Sequence, residues 1–88
     1  LRPFAEAYID RGLAHIGNRD FTKARQDLTK AIELEPDNHL AYFHRAELAV
    51  DGLKDLESAL VDIQKAIELK PNSADAYFVR GVIFIDID

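Results

Sequence analysis

Arginine and aspartate recur at matched positions along the chain and could form ion pairs. Arg11 and Asp27 are 16 residues apart, and Arg45 and Asp62 are 17 apart. A guanidinium grips a carboxylate through two parallel hydrogen bonds, which suits either a structural bridge or the recognition of an acidic partner. Because both members recur together, we favour structural salt bridges, with each arginine stem packed between two helices. Arg80 repeats the arginine, but no acid follows it at this spacing.

The remaining titratable residues do not form the pattern of a metal or catalytic site. His39 and His44 are five residues apart, which places them on different faces of a helix, and His15 lies in another part of the chain. Asp86 and Asp88 resemble half of a cation loop, but no glycine or third acid completes it. The sequence has no nucleophile–base motif, phosphate loop or zinc signature. We therefore predict no catalytic residues, no metal site and no cofactor.

The composition is that of one small acidic domain. A formal net charge of −5 over 88 residues argues against nucleic-acid binding, which usually needs a basic patch. The chain has no cysteine, which fits a reducing compartment and favours the cytoplasm. No apolar stretch approaches the roughly 18 residues of a membrane span, so we expect no membrane insertion. The first residue is not Met and the pattern stops within a unit, so we expect a fragment of a longer protein.

One stretch of the chain occurs twice. The sequence Lys-Ala-Ile-Glu-Leu at 30–34 returns at 65–69, and a proline follows each copy two residues later. A second pattern begins at Tyr8, Tyr42 and Tyr77, each followed three residues later by an arginine. Self-similarity at this period is typical of stacked helical repeats.

The hydrophobic periodicity divides the chain into helices joined by short turns. The predicted helices cover residues 5–17, 21–34, 39–51, 56–69 and 74 to about 85. Gly17 and Asn18 suit a turn because both tolerate positive φ, and Asp20 is a candidate helix cap. The period grows from 34 to 35 residues in the second unit. We place this inserted residue in the turn near 51–55, because loops tolerate insertions better than helices do.

The chain resembles the tetratricopeptide repeat family, whose 34-residue helix–turn–helix unit has small, aromatic, alanine and proline residues at fixed positions. The matching residues are Tyr8, Gly12, Phe21, Ala24, Ala31 and Pro36, then Tyr42, Ala46, Leu56, Ala59, Ala66 and Pro71, then Tyr77 and Gly81. Arg19 stands where the family has a turn glycine. The resemblance implies an all-α fold, with antiparallel helix pairs stacked as a right-handed α-solenoid. It also implies two complete repeats, about 5–38 and 39–73, and the first helix of a third, about 74–88.

The resemblance further implies a non-enzymatic module that binds a protein or peptide partner in a concave groove lined by the first helices. The residues expected to bind a partner are Ile9, Leu13, Phe43, His44, Glu47, Phe78 and Val82. Together with Val79, the apolar members could form one continuous exposed strip, and such strips often mark binding sites. Phe43 and Phe78 are the expected anchors, because rigid aromatic residues dominate binding hot spots. Alternatively, the strip is covered by parts of the parent protein, or it is ordinary packing between helices.

One binding mode of the family, the carboxylate clamp for chaperone tails, is not expected here. It would need Lys at Ile9, Asn at Leu13, Asn at His44, Lys at Asp75 and Arg at Val79, and none of these is present. Asp75 would also repel a carboxylate. We therefore predict no binding of peptides that end in Glu-Glu-Val-Asp.

The C-terminal helix has no partner helix in the sequence pattern. Tyr77, Phe84 and Ile85 belong to this helix, and solenoids need capped ends to stay soluble. Self-association through this end is therefore a further expectation. It supports an alternative role as a structural or oligomerisation spacer, and a regulatory domain of a larger protein is the other alternative.

Overall fold

The structure is a computed structural model that describes residues 3–87. Its elements are α1 (Pro3–Gly17), α2 (Phe21–Leu34), α3 (His39–Leu48), α4 (Leu56–Leu69) and α5 (Ala74–Ile87), with a π-helical turn, Ala49–Leu53, between α3 and α4. The predicted bounds of α2 and α4 are confirmed to the residue. Helix α1 begins two residues before its predicted start, and α5 extends past its predicted end.

Side-chain caps begin three of the helices. Asn38 accepts a hydrogen bond of 3.0 Å from the backbone amide two residues on, at the start of α3. Asp55 and Ser73 each accept one of 3.2 Å from the amide three residues on, at the starts of α4 and α5. The cap predicted at Asp20 does not form, since its side chain makes no capping bond. Its carboxylate lies 3.6 Å from the Lys23 ammonium instead.

An arginine, and not a glycine, adopts the left-handed backbone of the first turn. Arg19 has a φ of 61°, whereas Gly17 and Asn18 have no positive φ. The left-handed region costs a non-glycine residue roughly 1–2 kcal/mol, which explains why the family has glycine here. The Arg19 guanidinium lies 5.2 Å from the centre of the Phe21 ring, an attraction that offsets part of this cost.

The inserted residue of the second unit lies in the π-helical turn. The Asp55 amide donates to the Ala49 carbonyl at 2.8 Å, and Lys54, with φ 57°, ends the turn. A π turn holds one residue more than an α turn, so a local widening of the helix accommodates the insertion. The predicted position was close, but the predicted loop was wrong, since the helical path continues through Leu53.

Two apolar clusters hold the helices together. The first contains Ala5, Ile9, Ala24, Leu28, Ala31, Ala41 and Leu48. The second contains Ala46, Ala49, Val50, Ala59, Ile63, Ala66, Ala76 and Ile83. The many alanines allow neighbouring helices to approach closely, and the larger side chains fill the remaining space. Helices α1 and α2 pair, α3 and α4 pair, and α1, α3 and α5 lie side by side across the stack.

Candidate functional site

Both predicted ion pairs are confirmed, and both are bidentate. Arg11 donates through Nε and Nη2 to Asp27 at 2.9 and 2.7 Å. Arg45 donates in the same way to Asp62 at 2.7 and 2.8 Å. Arg45 also donates to the Thr29 hydroxyl at 3.1 Å, which connects the second helix pair to α2.

The two pairs differ in their exposure to solvent. The Arg11 side chain is 63% exposed, whereas that of Arg45 is 24% exposed, and both carboxylates are buried. Hydrogen bonds from Arg11 lower the pKa of Asp27, although burial opposes this shift. Hydrogen bonds to Asp62 raise the pKa of Arg45. Since each arginine is paired with an aspartate within the fold, we interpret both pairs as structural bridges.

The side formed by α1, α3 and α5 contains two hollows. The first, about 440 Å³, is lined by Glu6, Ile9, Asp10, Leu13, Glu35, Asn38, Leu40 and His44. The second, about 120 Å³, is lined by Glu47, Val50, Asp51, Phe78, Val79 and Val82. We call these lining residues the groove face. Six of the seven predicted binding residues belong to it, and Phe43 does not.

The residues predicted to bind a partner differ in solvent exposure. Phe78 is 72% exposed and Leu13 is 38% exposed, so both present apolar surface to a partner. Ile9 is only 5% exposed and forms part of the first apolar cluster. Val82 is half-buried and packs against the second cluster.

Phe43 packs into the molecule. It lies against the second apolar cluster, and its ring meets that of His44 edge-on, with centroids 5.2 Å apart. His44 Nδ1 in turn lies 3.1 Å from the Glu47 carboxylate. The predicted continuous apolar strip is therefore interrupted, because Ile9 and Phe43 turn toward the core and a polar pair lies between the hollows.

Sequence reasoning missed the contribution of the turns to this face. Glu35 and Asn38 flank the first inter-unit proline, and Asp51 lies in the π turn. Their proximity to a proline or an insertion was the available signal, because turns between stacked units lie at the edge of the first helices. The groove face contains five carboxylates, from Glu6, Asp10, Glu35, Glu47 and Asp51, and no lysine or arginine.

Other surfaces carry less distinctive chemistry. A hollow of about 460 Å³ beside α2 is lined mostly by polar and charged residues, and one of about 600 Å³ lies between Phe4 and Leu69. Within the described residues, no group of three His, Cys, Asp or Glu could hold a metal ion. No helix within 3–87 has the length and apolarity needed to cross a membrane. Asp88, half of the acidic pair noted in the sequence, lies outside the described residues.

Comparison with known sequences decides the family. A profile described as tetratricopeptide repeat matches residues 9–74. The chain belongs to the tetratricopeptide repeat family. A curated relative, an SGT1 homologue from rice (Oryza sativa subsp. japonica), is 44% identical to this chain over a matched region of 46 residues. The matched region is 52% of the chain but only 12% of that protein.

Solved tetratricopeptide structures share the fold. The TPR domain of Arabidopsis OM64 has a TM-score of 0.88 at 27% identity, and the match covers 93% of the present chain and 67% of the OM64 chain. The TPR2B domain of yeast Sti1, in a complex with pHsp70, has a TM-score of 0.89 at 28% identity. This match covers 94% of the present chain and 66% of the Sti1 chain. The second TPR of Spaghetti (RPAP3), bound to an HSP90 peptide, has a TM-score of 0.93 at 23% identity. This match covers 98% of the present chain and 79% of the Spaghetti chain, and at that identity it shows the fold alone.

Proposed function

We propose that this chain is a non-enzymatic adaptor module that binds a segment of a partner protein along the groove face. The observation that supports this most directly is the pair of hollows, which lie on the α1–α3–α5 side with Leu13 and Phe78 exposed beside them. Membership of a repeat family supports the same role. The TPR2B domain of yeast Sti1 and the first TPR of Spaghetti, 28% and 26% identical to this chain, are described in complex with pHsp70 and with an HSP90 peptide, respectively.

Within this proposal the residues have distinct roles. Phe78 is the main anchor, because a rigid exposed aromatic ring buries much apolar area at little entropic cost. Leu13 supplies the apolar contact of the first hollow. The His44–Glu47 pair separates the two hollows and presents polar groups to the partner backbone. Phe43 supports these residues from beneath and does not contact the partner.

A peptide-display selection tests the proposal. The wild-type chain and a Leu13→Glu, Phe78→Glu double variant would be immobilised and screened against one peptide library. Val61→Glu is the matched control, because Val61 is 68% exposed on α4 and lines neither hollow of the groove face. Circular dichroism would establish equal helicity for all three chains before the selection.

The expected result is a peptide set that the wild type and Val61→Glu both enrich and the double variant loses. Enrichment of the same peptides by all three chains would contradict binding at the groove face. Loss of the peptides by Val61→Glu alone would place the site on the α4 side instead.

Self-association is a second candidate function, favoured by one specific observation. Helix α5 exposes Tyr77, Phe84 and Ile85 in addition to Phe78. A helix of the same kind is covered by a partner helix in each of the two complete units. Light scattering over a concentration series tests this role, and a monomer at every concentration would contradict it.

A further inference from the structure

The first hollow of the groove face combines apolar surface with exposed carboxylates. Leu13 and Leu40 line it and are 38% and 46% exposed, and the buried Ile9 lines it as well. Glu6 and Asp10 lie one helical turn apart on α1, line the same hollow and are exposed. The hollow lies between α1 and α3, and each of these helices packs against its own partner helix, α2 or α4. It is therefore a feature of two complete helix pairs.

The carboxylates of the groove face keep their negative charge unbalanced within the fold. Arg11 and Arg45 are bonded to aspartates of the helix pairs, and the paired lysines lie beside acids three residues away. Within residues 3–87, Glu6, Asp10 and Asp51 form no ion pair, and all three are exposed. An exposed carboxylate is hydrated and needs no partner in the fold, so its field acts on whatever approaches the hollow.

These acids form two sets along the groove face. The first set is Glu6 and Asp10 on α1, and the second is Glu47 and Asp51, which line the second hollow. His44 of the first hollow lies 3.1 Å from Glu47, so this polar pair joins the two hollows. Neighbouring helices pack about 8–10 Å apart and residues along a helix rise about 1.5 Å each, which places the two sets about 10–15 Å from each other. An extended segment spans that distance in about three to five residues.

We propose that the groove face binds a basic segment of a partner protein, an inference that rests on the function proposed above. Two lysines or arginines of the segment, about three to five residues apart in an extended chain, meet the two sets of carboxylates. An apolar side chain between them packs on Leu13 and Leu40. The aliphatic stems of the basic residues cover the apolar surface that remains beside the carboxylates.

Other occupants do not match the charge of the groove face. Nucleic acids and anionic lipid surfaces carry the same sign and would be repelled. A second copy of this chain has a formal net charge of −5, and its Arg11 and Arg45 are already bonded within the fold. A basic segment of a different protein is therefore the class of partner that fits.

A peptide-display selection at low salt tests the charge of the partner. The wild-type chain and a Leu13→Ala, Phe78→Ala variant would be screened against one library of short randomised peptides. The alanine variant removes apolar contacts of the groove face without changing its charge, so peptides that it loses bind at that face. The readout is the excess of lysine and arginine over aspartate and glutamate in those peptides, relative to the unselected library.

A charge reversal supplies the matched comparison. Asp10→Lys, Asp51→Lys changes one carboxylate at each hollow, and Glu57→Lys, Glu68→Lys changes two exposed carboxylates of α4 that line neither hollow. Asp51 and Glu57 both lie in the first turn of their helical segments, so the two variants match in that respect too. Each of the two replacements adds two positive charges, which takes the formal net charge from −5 to −1 in both variants. Circular dichroism would establish equal helicity before the selection.

The wild type and the Glu57→Lys, Glu68→Lys control should enrich the same basic peptides. The Asp10→Lys, Asp51→Lys variant should lose them and enrich acidic peptides instead. In fluorescence anisotropy, an enriched dye-labelled peptide should bind this variant about tenfold or more weakly than the wild type, and glutamates in place of its two basic residues should restore binding, as expected for directly coupled charges. The affinity of the wild type for the basic peptide should fall as salt is raised.

The outcomes separate this inference from the proposed function. Peptides that depend on the groove face but show no excess of basic residues would overturn the inference and leave the adaptor role standing. Peptides that the alanine variant also retains, or no enriched peptides at all, would overturn both. Equal losses in the two lysine variants would show that the total charge of the chain selects the peptides, and this result would also overturn the inference.

Discussion

Arg45 and Asp62 form the more enclosed of the two ion pairs, and this difference sets how much each contributes to stability. The carboxylate of each pair is buried, but Arg11 keeps most of its contact with water while Arg45 loses most of it. A buried carboxylate without its guanidinium pays its full desolvation cost, and so does a guanidinium without its carboxylate. Residue spacing alone predicted which groups pair, because both pairs repeat with the fold. It could not predict their exposure, which depends on the helix of the next unit.

Removal of the Asp62 carboxylate is the first prediction. Asp62→Asn should lower the free energy of unfolding by about 2–3 kcal/mol, because Arg45 loses a charged bidentate partner in a largely enclosed position. Glu68→Gln is the control, since the Lys65–Glu68 pair is long, at 3.9 Å, and exposed. Its effect should stay below about 0.5 kcal/mol in the same urea unfolding experiment. Equal losses of unfolding free energy in the two variants would show that the Arg45–Asp62 pair stabilises the fold no more than an exposed ion pair does.

The Arg11–Asp27 pair predicts a pH dependence. The pKa of Asp27 is lowered in the fold by hydrogen bonds from Arg11, so the unfolded chain binds this proton more readily. The resulting stabilisation is fully present above the unfolded pKa of about 3.9 and is lost as pH falls through the folded value. The stability difference between wild type and Asp27→Asn should therefore shrink below about pH 4.

Urea unfolding at a series of pH values measures this difference. The pKa of Asp55 is also lowered, by hydrogen bonds from Ser58, but this effect is present in both chains and cancels in the comparison. A difference that grows toward low pH would contradict the assigned sign.

At the scale of helices, sequence reasoning worked best where a chemical signal ends an element. Prolines and the repeated pattern located α2 and α4, because a proline restricts the residue before it. The π turn was not predictable, because one inserted residue looks the same in the sequence whether a loop or a widened helix accommodates it. The sequence pattern did not predict the burial of Ile9 and Phe43, for a related reason. Periodicity gives the face of a helix, but the neighbouring helix decides how far that face is covered.

Gly52 in the π turn provides the prediction at this scale. A methyl group added there would lie 2.9 Å from Phe21 Cγ and Cδ1 and 3.1 Å from a Leu48 methyl carbon. Gly52→Ala should therefore lower the free energy of unfolding by about 1–3 kcal/mol, because the widened turn packs directly on α2. Gly17→Ala is the matched control: it has open space, and alanine favours helix, so it should raise stability by up to about 1 kcal/mol. Thermal unfolding of both variants checks the opposite signs, and a neutral Gly52→Ala would contradict the close approach.

For the molecule as a whole, the distribution of charge matters more than its sum. The chain has a formal net charge of −5, and the residues that line the groove face include five carboxylates and no lysine or arginine. Meanwhile several basic residues are paired elsewhere, among them Arg11, Arg45 and Lys65. The groove face therefore carries a negative potential beside its apolar anchors. Such a field slows the approach of acidic segments and favours neutral or basic ones.

This charge distribution makes a prediction that separates the chain from its structural neighbours. The peptide SRMEEVD, which is bound by the second TPR of Spaghetti, should show no saturable binding to this chain at micromolar concentrations. The resemblance to the family places the carboxylate clamp at Ile9, Leu13, His44, Asp75 and Val79, and none of these five side chains supplies an ammonium or guanidinium for the terminal carboxylate. The acidic side chains of the peptide would also face the carboxylates of the groove face. Isothermal titration calorimetry at low salt, with the Spaghetti domain as positive control, gives the strictest test, because repulsion is least screened there. Micromolar affinity under those conditions would overturn the electrostatic argument. Binding that appears only as salt rises would contradict the argument from the clamp positions and would be consistent with the repulsion alone, because salt screens that repulsion.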